Sequence, residues 1–433
     1  MHRLTTSSRT IAFAAGTLMA VLFSQAPQPP AVLAQPPAAV GATLVEGARL
    51  IAGTGAPVIE NAAFLVEGAR FVQVGRAGEL RAPASVTRVS LAGKTVMPAI
   101  VDTHTHLAGT RDALLDQLRG KAYFGVGAVM SLGQDAGDLP FQIRAEIIPG
   151  AARFRTAGRG ITTPEPGRSE APYWITTVGD GLKAVQELAA RKVDIVKLWV
   201  DDRDGKYKKL TPDLYGPIID EAHKQGLRVT AHVFTLDDAK RLLRAGVDAF
   251  AHGVRDRDID DEFMALMKQR PHVVLVPNLP DRGVKTDLSW LGEALPAAEL
   301  QKLQAASIDN PTAQRSFGIQ ARNLAKLSAA SVRIALGTDG AVLWSHHLEM
   351  ADMVAAGMTP AQVIVAATHT AADLMRVSDA GTIEAGKSAD FVVLDASPLE
   401  DITNTRRISA VYLRGSAVDR AAVRNRLAER SAR

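Results

Sequence analysis

Met97-Pro98-Ala99-Ile100-Val101-Asp102-Thr103-His104-Thr105-His106 is the stretch from which the fold is read. Its apolar run reads as a buried strand over 97–104, and the two imidazoles follow at its C-terminal end. In a strand, residues two apart point to the same side, so His104 and His106 face one space. Further apolar runs follow at 126–132, 152–157, 194–200, 228–233, 248–252, 273–278 and 333–338. Helical patterns lie between several of them. Thr235 starts one as an N-cap before Asp237 and Asp238, and Gly246 stops it. Thr211-Pro212-Asp213 starts another, which ends at Gly226. Eight strands with helical crossovers are the count of an α/β (β/α)8 barrel, occupying 97–375.

Outside that middle the texture changes. Thr43-Leu44-Val45, Ala63-Phe64-Leu65-Val66 and Phe71-Val72-Gln73-Val74 are short alternating runs separated by turn residues. Ala389-Asp390-Phe391-Val392-Val393-Leu394 and Val411-Tyr412-Leu413 repeat the pattern near the other end. Residues 43–96 plus 376–420 are therefore expected to form one small discontinuous β-sandwich domain.

The first 34 residues read as a signal peptide. Arg3 and Arg9 form a basic start, Thr10 to Phe23 is apolar but too short to span a bilayer, and Val32-Leu33-Ala34 offers a small-residue cleavage site before Gln35. Residues 35–42 are expected to be a flexible leader. The reading is a periplasmic or secreted protein with no membrane attachment after cleavage.

The 433 residues are 47% hydrophobic and 22% charged, an ordinary globular balance. With 50 Lys+Arg against 46 Asp+Glu and no long run of one sign, a nucleic-acid surface has no support. The absence of cysteine excludes disulfides, thiol nucleophiles and Cys-based zinc sites. A metal must be held by histidine, carboxylate or something less usual.

Such residues stand at the ends of the expected strands, where barrel enzymes place their sites. His232 closes Arg228-Val229-Thr230-Ala231-His232, His252 closes Ala249-Phe250-Ala251-His252, and Asp339 closes Ile334-Ala335-Leu336-Gly337-Thr338-Asp339. Lys197 lies among apolar neighbours and shares a strand face with Ile195 and Trp199. A lone buried ammonium is costly. Either Lys197 pairs with Asp201 or reaches the barrel mouth, or its depressed pKa lets the amine react with carbon dioxide.

These motifs, with Ala251-His252-Gly253, Gly337-Thr338-Asp339 and Gly386-Lys387-Ser388-Ala389-Asp390-Phe391, resemble the amidohydrolase superfamily over most of 43–415. The resemblance is nearest the imidazolonepropionase-like and Xaa-Pro or Xaa-Arg dipeptidase-like branch. It implies a small-molecule hydrolase with two divalent metal ions, zinc being the expected metal. His104, His106 and Asp339 would bind one, His232 and His252 the other, and carboxylated Lys197 and a hydroxide would bridge them. Asp339 would move the proton. The implied reaction is hydrolysis of the amide bond of a dipeptide or N-acyl amino acid. The alternatives are a lactone or ester hydrolase on the same site, a mononuclear deaminase or cyclic amidase, and a catalytically inactive ligand-binding barrel. Deaminases of this fold carry a Glu three residues after the strand-five histidine, where this chain has Thr235. Relatives carry a Gly-Gly-His-Gly-like loop after the third strand, whereas Gly158-Arg159-Gly160 continues here to Arg168 without a histidine. Arg159, Arg168 and Tyr207 are the candidate substrate contacts. A homo-oligomer is compatible with this reading.

Overall fold

The computed structural model describes residues 41–107 and 109–431. The expected signal peptide and nearly all of the leader lie outside the described residues. Through the middle of the chain run parallel strands β1 (Ile100–Thr105), β2 (Val126–Ser131), β3 (Arg153–Thr156), β4 (Val196–Trp199), β5 (Val229–His232), β6 (Ala249–Ala251), β7 (Val274–Val276) and β8 (Arg333–Ile334). β1 to β3 form one sheet, and β4 to β8 form another that begins with two short strands, Tyr173–Trp174 and Ile161–Thr162. Backbone bonds also run from Asp194 N to Thr156 O (3.0 Å) and from Thr103 N to Leu336 O (3.0 Å). The first links the end of β3 to the approach to β4. The second links β1 to the segment after β8.

Inward-facing strand residues are mostly small or branched. Val101, Met130, Ile195, Ala249, Val276 and Ala335 share one apolar cluster with Ala371, Leu374 and Met375 from the short helix Ala371–Leu374 and its end. The helices are capped as their sequences demand. Thr235 accepts from Asp238 N at the start of Leu236–Ala245, and Gly246 ends it at φ +99°, a conformation that costs glycine little. Pro212 opens Pro212–Lys224, where its missing N–H is no loss.

The run expected as a single strand over 97–104 divides in two. Thr95–Pro98 pairs with Phe391–Leu394, and β1 starts at Ile100. Pro98 has no N–H to continue a ladder, and Ala99 N turns to Asp390 O at 3.0 Å.

Strands from both ends of the chain join in one eight-stranded sheet. Thr95–Pro98 lies between Thr43–Leu50 and Phe391–Leu394, and the sheet continues through Ile59–Glu67 and Arg70–Arg76 on one side and Ile408–Leu413 on the other. Phe64, Phe71 and Phe391 fill one face, the Phe64 ring centroid lying 5.5 Å from Phe71 and 5.2 Å from Phe391, both edge-on. That is the geometry aromatic quadrupoles favour. Among the described residues no helix is long and apolar enough to cross a membrane.

Candidate metal centre

The end of β1 presents His104 and His106 together. Asp339 arrives beside them because its N–H donates to His104 O at 2.7 Å. Its Oδ1 lies 3.0 Å from Nε2 of both His104 and His106, and its Oδ2 lies 3.5 Å from His252 Nε2. His104, His106 and Asp339 offer ligand atoms that all lie within 4.8 Å of one another.

The tautomer of His104 sharpens the point. Its Nδ1 lies 2.8 Å from Asn278 Oδ1. That oxygen can only accept, so Nδ1 carries the proton and Nε2 a lone pair. Burial, with the nearby Lys197 charge, lowers His104 to about 4, so the ring is neutral at pH 7. A lone pair then faces a carboxylate oxygen at hydrogen-bond distance, which is repulsive without a positive centre between them. His252 is similar, with both ring nitrogens buried and without hydrogen bonds.

The second half of the site comes from β4 and β5. Trp199 is in register with His232 and Lys197 with Thr230. The His232 and His252 ring centroids are 4.5 Å apart, and those of His104 and His252 5.2 Å. Lys197 is fully buried, and its Nζ has no hydrogen-bond partner. Burial lowers its pKa to about 7. The expected alternative, pairing with Asp201, does not occur. Asp201 instead binds Arg203 at 2.6 Å and His232 Nε2 at 3.0 Å. Trp199 fits against bare backbone: a Cβ on Gly160 would lie 2.1 Å from its ring, and one on Gly133 2.5 Å.

A buried network fixes the Thr338–Asp339 turn. Asp102 accepts from Thr338 N (3.1 Å) and Thr338 Oγ1 (2.8 Å), and Lys121 Nζ reaches it at 3.0 Å. Asp102 and Lys121 are both fully buried. His252, Asn278 and Asp339 all take positive φ (+94°, +42° and +54°), a strained choice for non-glycine residues that recurs at functional sites. It turns the chain at three strand ends.

Sequence reasoning missed Asn278, Lys121 and Asp135. The signal for Asn278 was its place just beyond β7. Asp135 is buried, accepts from Ser131 Oγ (3.0 Å) and Thr156 Oγ1, and is raised to about 6 by burial.

The three substrate candidates are engaged elsewhere. Arg159 donates to Ala171 O and Pro172 O and stacks on Tyr173. Arg168 pairs with Glu165 at 3.3 Å. Tyr207 donates its hydroxyl to Pro166 O at 2.9 Å. All three brace the loop between Gly158 and Tyr173. His346 and His347 are buried, against Phe124 O and Thr405 Oγ1 respectively. Thr235 is a helix cap.

The profile of the amidohydrolase family matches residues 208–418. The chain is 26% identical over 388 residues to the imidazolonepropionase of Deinococcus radiodurans, covering 83% of this chain and 92% of that protein. It is 26% identical over 421 residues to the ochratoxinase of Aspergillus niger, covering 83% and 82%. Among solved structures, a Xaa-Pro dipeptidase with bound methionine in its active site superposes with a TM-score of 0.69 at 21% identity, over 87% of this chain and 99% of that one. With its histidine, lysine and aspartate motifs at the strand ends, the chain is similar to the amidohydrolase family, whose profile covers just under half of it, and is a hydrolase acting on carbon–nitrogen bonds.

Proposed function

We propose that the chain hydrolyses the amide bond of a dipeptide or N-acyl amino acid at a centre of two divalent cations. His104, His106 and Asp339 would hold one cation, His232 and His252 the other. Lys197, carboxylated by carbon dioxide, would bridge them. The observation that carries this reading is the buried, unpartnered Lys197 Nζ beside histidines whose free ring nitrogens face one carboxylate. A neutral buried amine can attack carbon dioxide and lose a proton, leaving an anion with two oxygens. Imidazole and carboxylate are ligands that zinc accepts.

Bound there, the cations would polarise the scissile carbonyl and provide hydroxide near neutral pH. The chain's own residues supply the rest. Asn278 holds the His104 ring so that Nε2 faces inward. Asp339 can take the proton of the attacking water and pass it to the leaving nitrogen. The Trp199 ring lies beside Lys197, its centroid 5.4 Å from Nζ.

The same proposal includes a closed (β/α)8 barrel over 97–375, a β-sandwich domain from 43–96 plus 376–420, and export with cleavage after Ala34. The bonds between Thr103 and Leu336 and between Asp194 and Thr156 support the closure. The deciding experiment measures metal content and turnover on one sample, with panels of dipeptides, N-acyl amino acids and matched esters. Two metals per chain with amide turnover support the proposal. Ester turnover alone, or turnover without metal, overturns it.

A further inference from the structure

Phe234, two residues beyond the end of β5, packs against both histidines of the second half-site. Its ring centroid is 4.3 Å from that of His232 and 5.0 Å from that of His252. Arg255 lies over this ring, its Cζ only 3.2 Å from the centroid. The pair is tied at the backbone, because Arg255 N donates to Phe234 O at 3.0 Å.

This arginine differs from the others nearby. Arg203 is held by Asp201 and Glu165, Arg159 by two carbonyls and Arg168 by Glu165. Among the described residues, none makes a side-chain hydrogen bond or ion pair with Arg255. The acids whose charges reach it are Asp339 and Asp201, both already engaged. Burial lowers it to about 10, which still leaves a cation at neutral pH. Stacking uses the face of a guanidinium and leaves its in-plane N–H groups free. Those groups are the fork that binds a carboxylate bidentately.

We infer that Arg255, stacked on Phe234, binds the free carboxylate of the amino acid that leaves, and so selects substrates that carry one. This rests on the reading of the site as an amide hydrolase.

The test compares N-acetyl-L-phenylalanine, N-acetyl-L-leucine and N-acetyl-L-arginine with their C-terminal primary amides, which lack only the carboxylate charge. Metal-replete wild type, Arg255→Gln and Arg255→Lys are each measured. The readout is the preference for acid over amide, in kcat/KM where a probe is cleaved and in calorimetric Kd where it is only bound. Wild type should prefer the acids by about 100-fold, the scale of a two-bond charged contact. Arg255→Gln should lose that preference through KM or Kd while the amides change less than about threefold, and Arg255→Lys should recover part of it. The inference is overturned if wild type binds none of the acids, if it treats acids and amides alike, or if Arg255→Gln weakens both equally. Acids that bind selectively through Arg255 without being cleaved would count against the proposed reaction and leave this inference standing.

Discussion

Lys121→Met should destabilise the protein by ~3 kcal/mol, about a hundredfold in the ratio of folded to unfolded chains. Lys121 and Asp102 form an ion pair at 3.0 Å with neither side chain exposed. Removing one partner of such a pair typically costs about 3–5 kcal/mol, because the other charge is left buried. The structure places the loss at the lower end of that range. Asp102 keeps its bonds from Thr338 N, Thr338 Oγ1 and, at 3.3 Å, His104 N. The double variant Asp102→Asn with Lys121→Met removes both charges and should be more stable than Lys121→Met alone. Urea unfolding of wild type, both single variants and the double variant at pH 7 gives the coupling between the two residues. The same network holds the turn before Asp339, so Lys121→Met should also lower kcat in samples with full metal content. A Lys121→Met protein within about 0.5 kcal/mol of wild type, or a double variant whose loss equals the sum of the singles, would refute the reasoning.

Asp339→Asn should fold and keep much of its metal while kcat falls by about 10²–10⁴-fold; near-normal kcat in a metal-loaded sample would show that the proton moves elsewhere. Lys197→Ala should lose activity and about one metal per chain, with partial rescue by short carboxylic acids, and elemental analysis beside the rate assay checks both. Gly160→Ala should destabilise by about 1–3 kcal/mol, since its methyl would overlap the Trp199 ring; an unchanged unfolding midpoint contradicts this. Asp352 is raised by burial from 3.8 to about 6 despite Arg282 at 3.5 Å. Its charged form is disfavoured in the fold, so its contribution to stability is full below about pH 4 and is lost as pH rises through 6. Asp352→Asn should therefore gain on wild type in Tm between pH 4 and 6 and hold that gain above, and a gap that shrinks over that interval would reverse the sign.

The sequence by itself determined the elements and the residue types at their ends. Apolar runs located the eight parallel strands because a strand buried on both faces needs a nearly continuous apolar stretch. Thr235, Gly246 and Pro212 marked helix ends because capping is settled within a few residues. The two-residue period put His104 and His106 on one side of β1, and the buried position of Lys197 was legible from its neighbours. What the sequence left open were pairings over long distances along the chain. Asn278 fixes the ring of His104 from 174 residues away, and Asp102 holds Thr338 across 236. The split at Pro98 depended on which sheet Phe391–Leu394 would join. The same holds for the arginines: Arg159 and Arg168 were singled out by their loop, yet the loop itself binds them, while Arg255 stands free over Phe234. Periodicity fixes the side to which a residue points within its own element. The group it meets there is decided only when strands far apart in sequence settle into register, and that is a property of the packed structure.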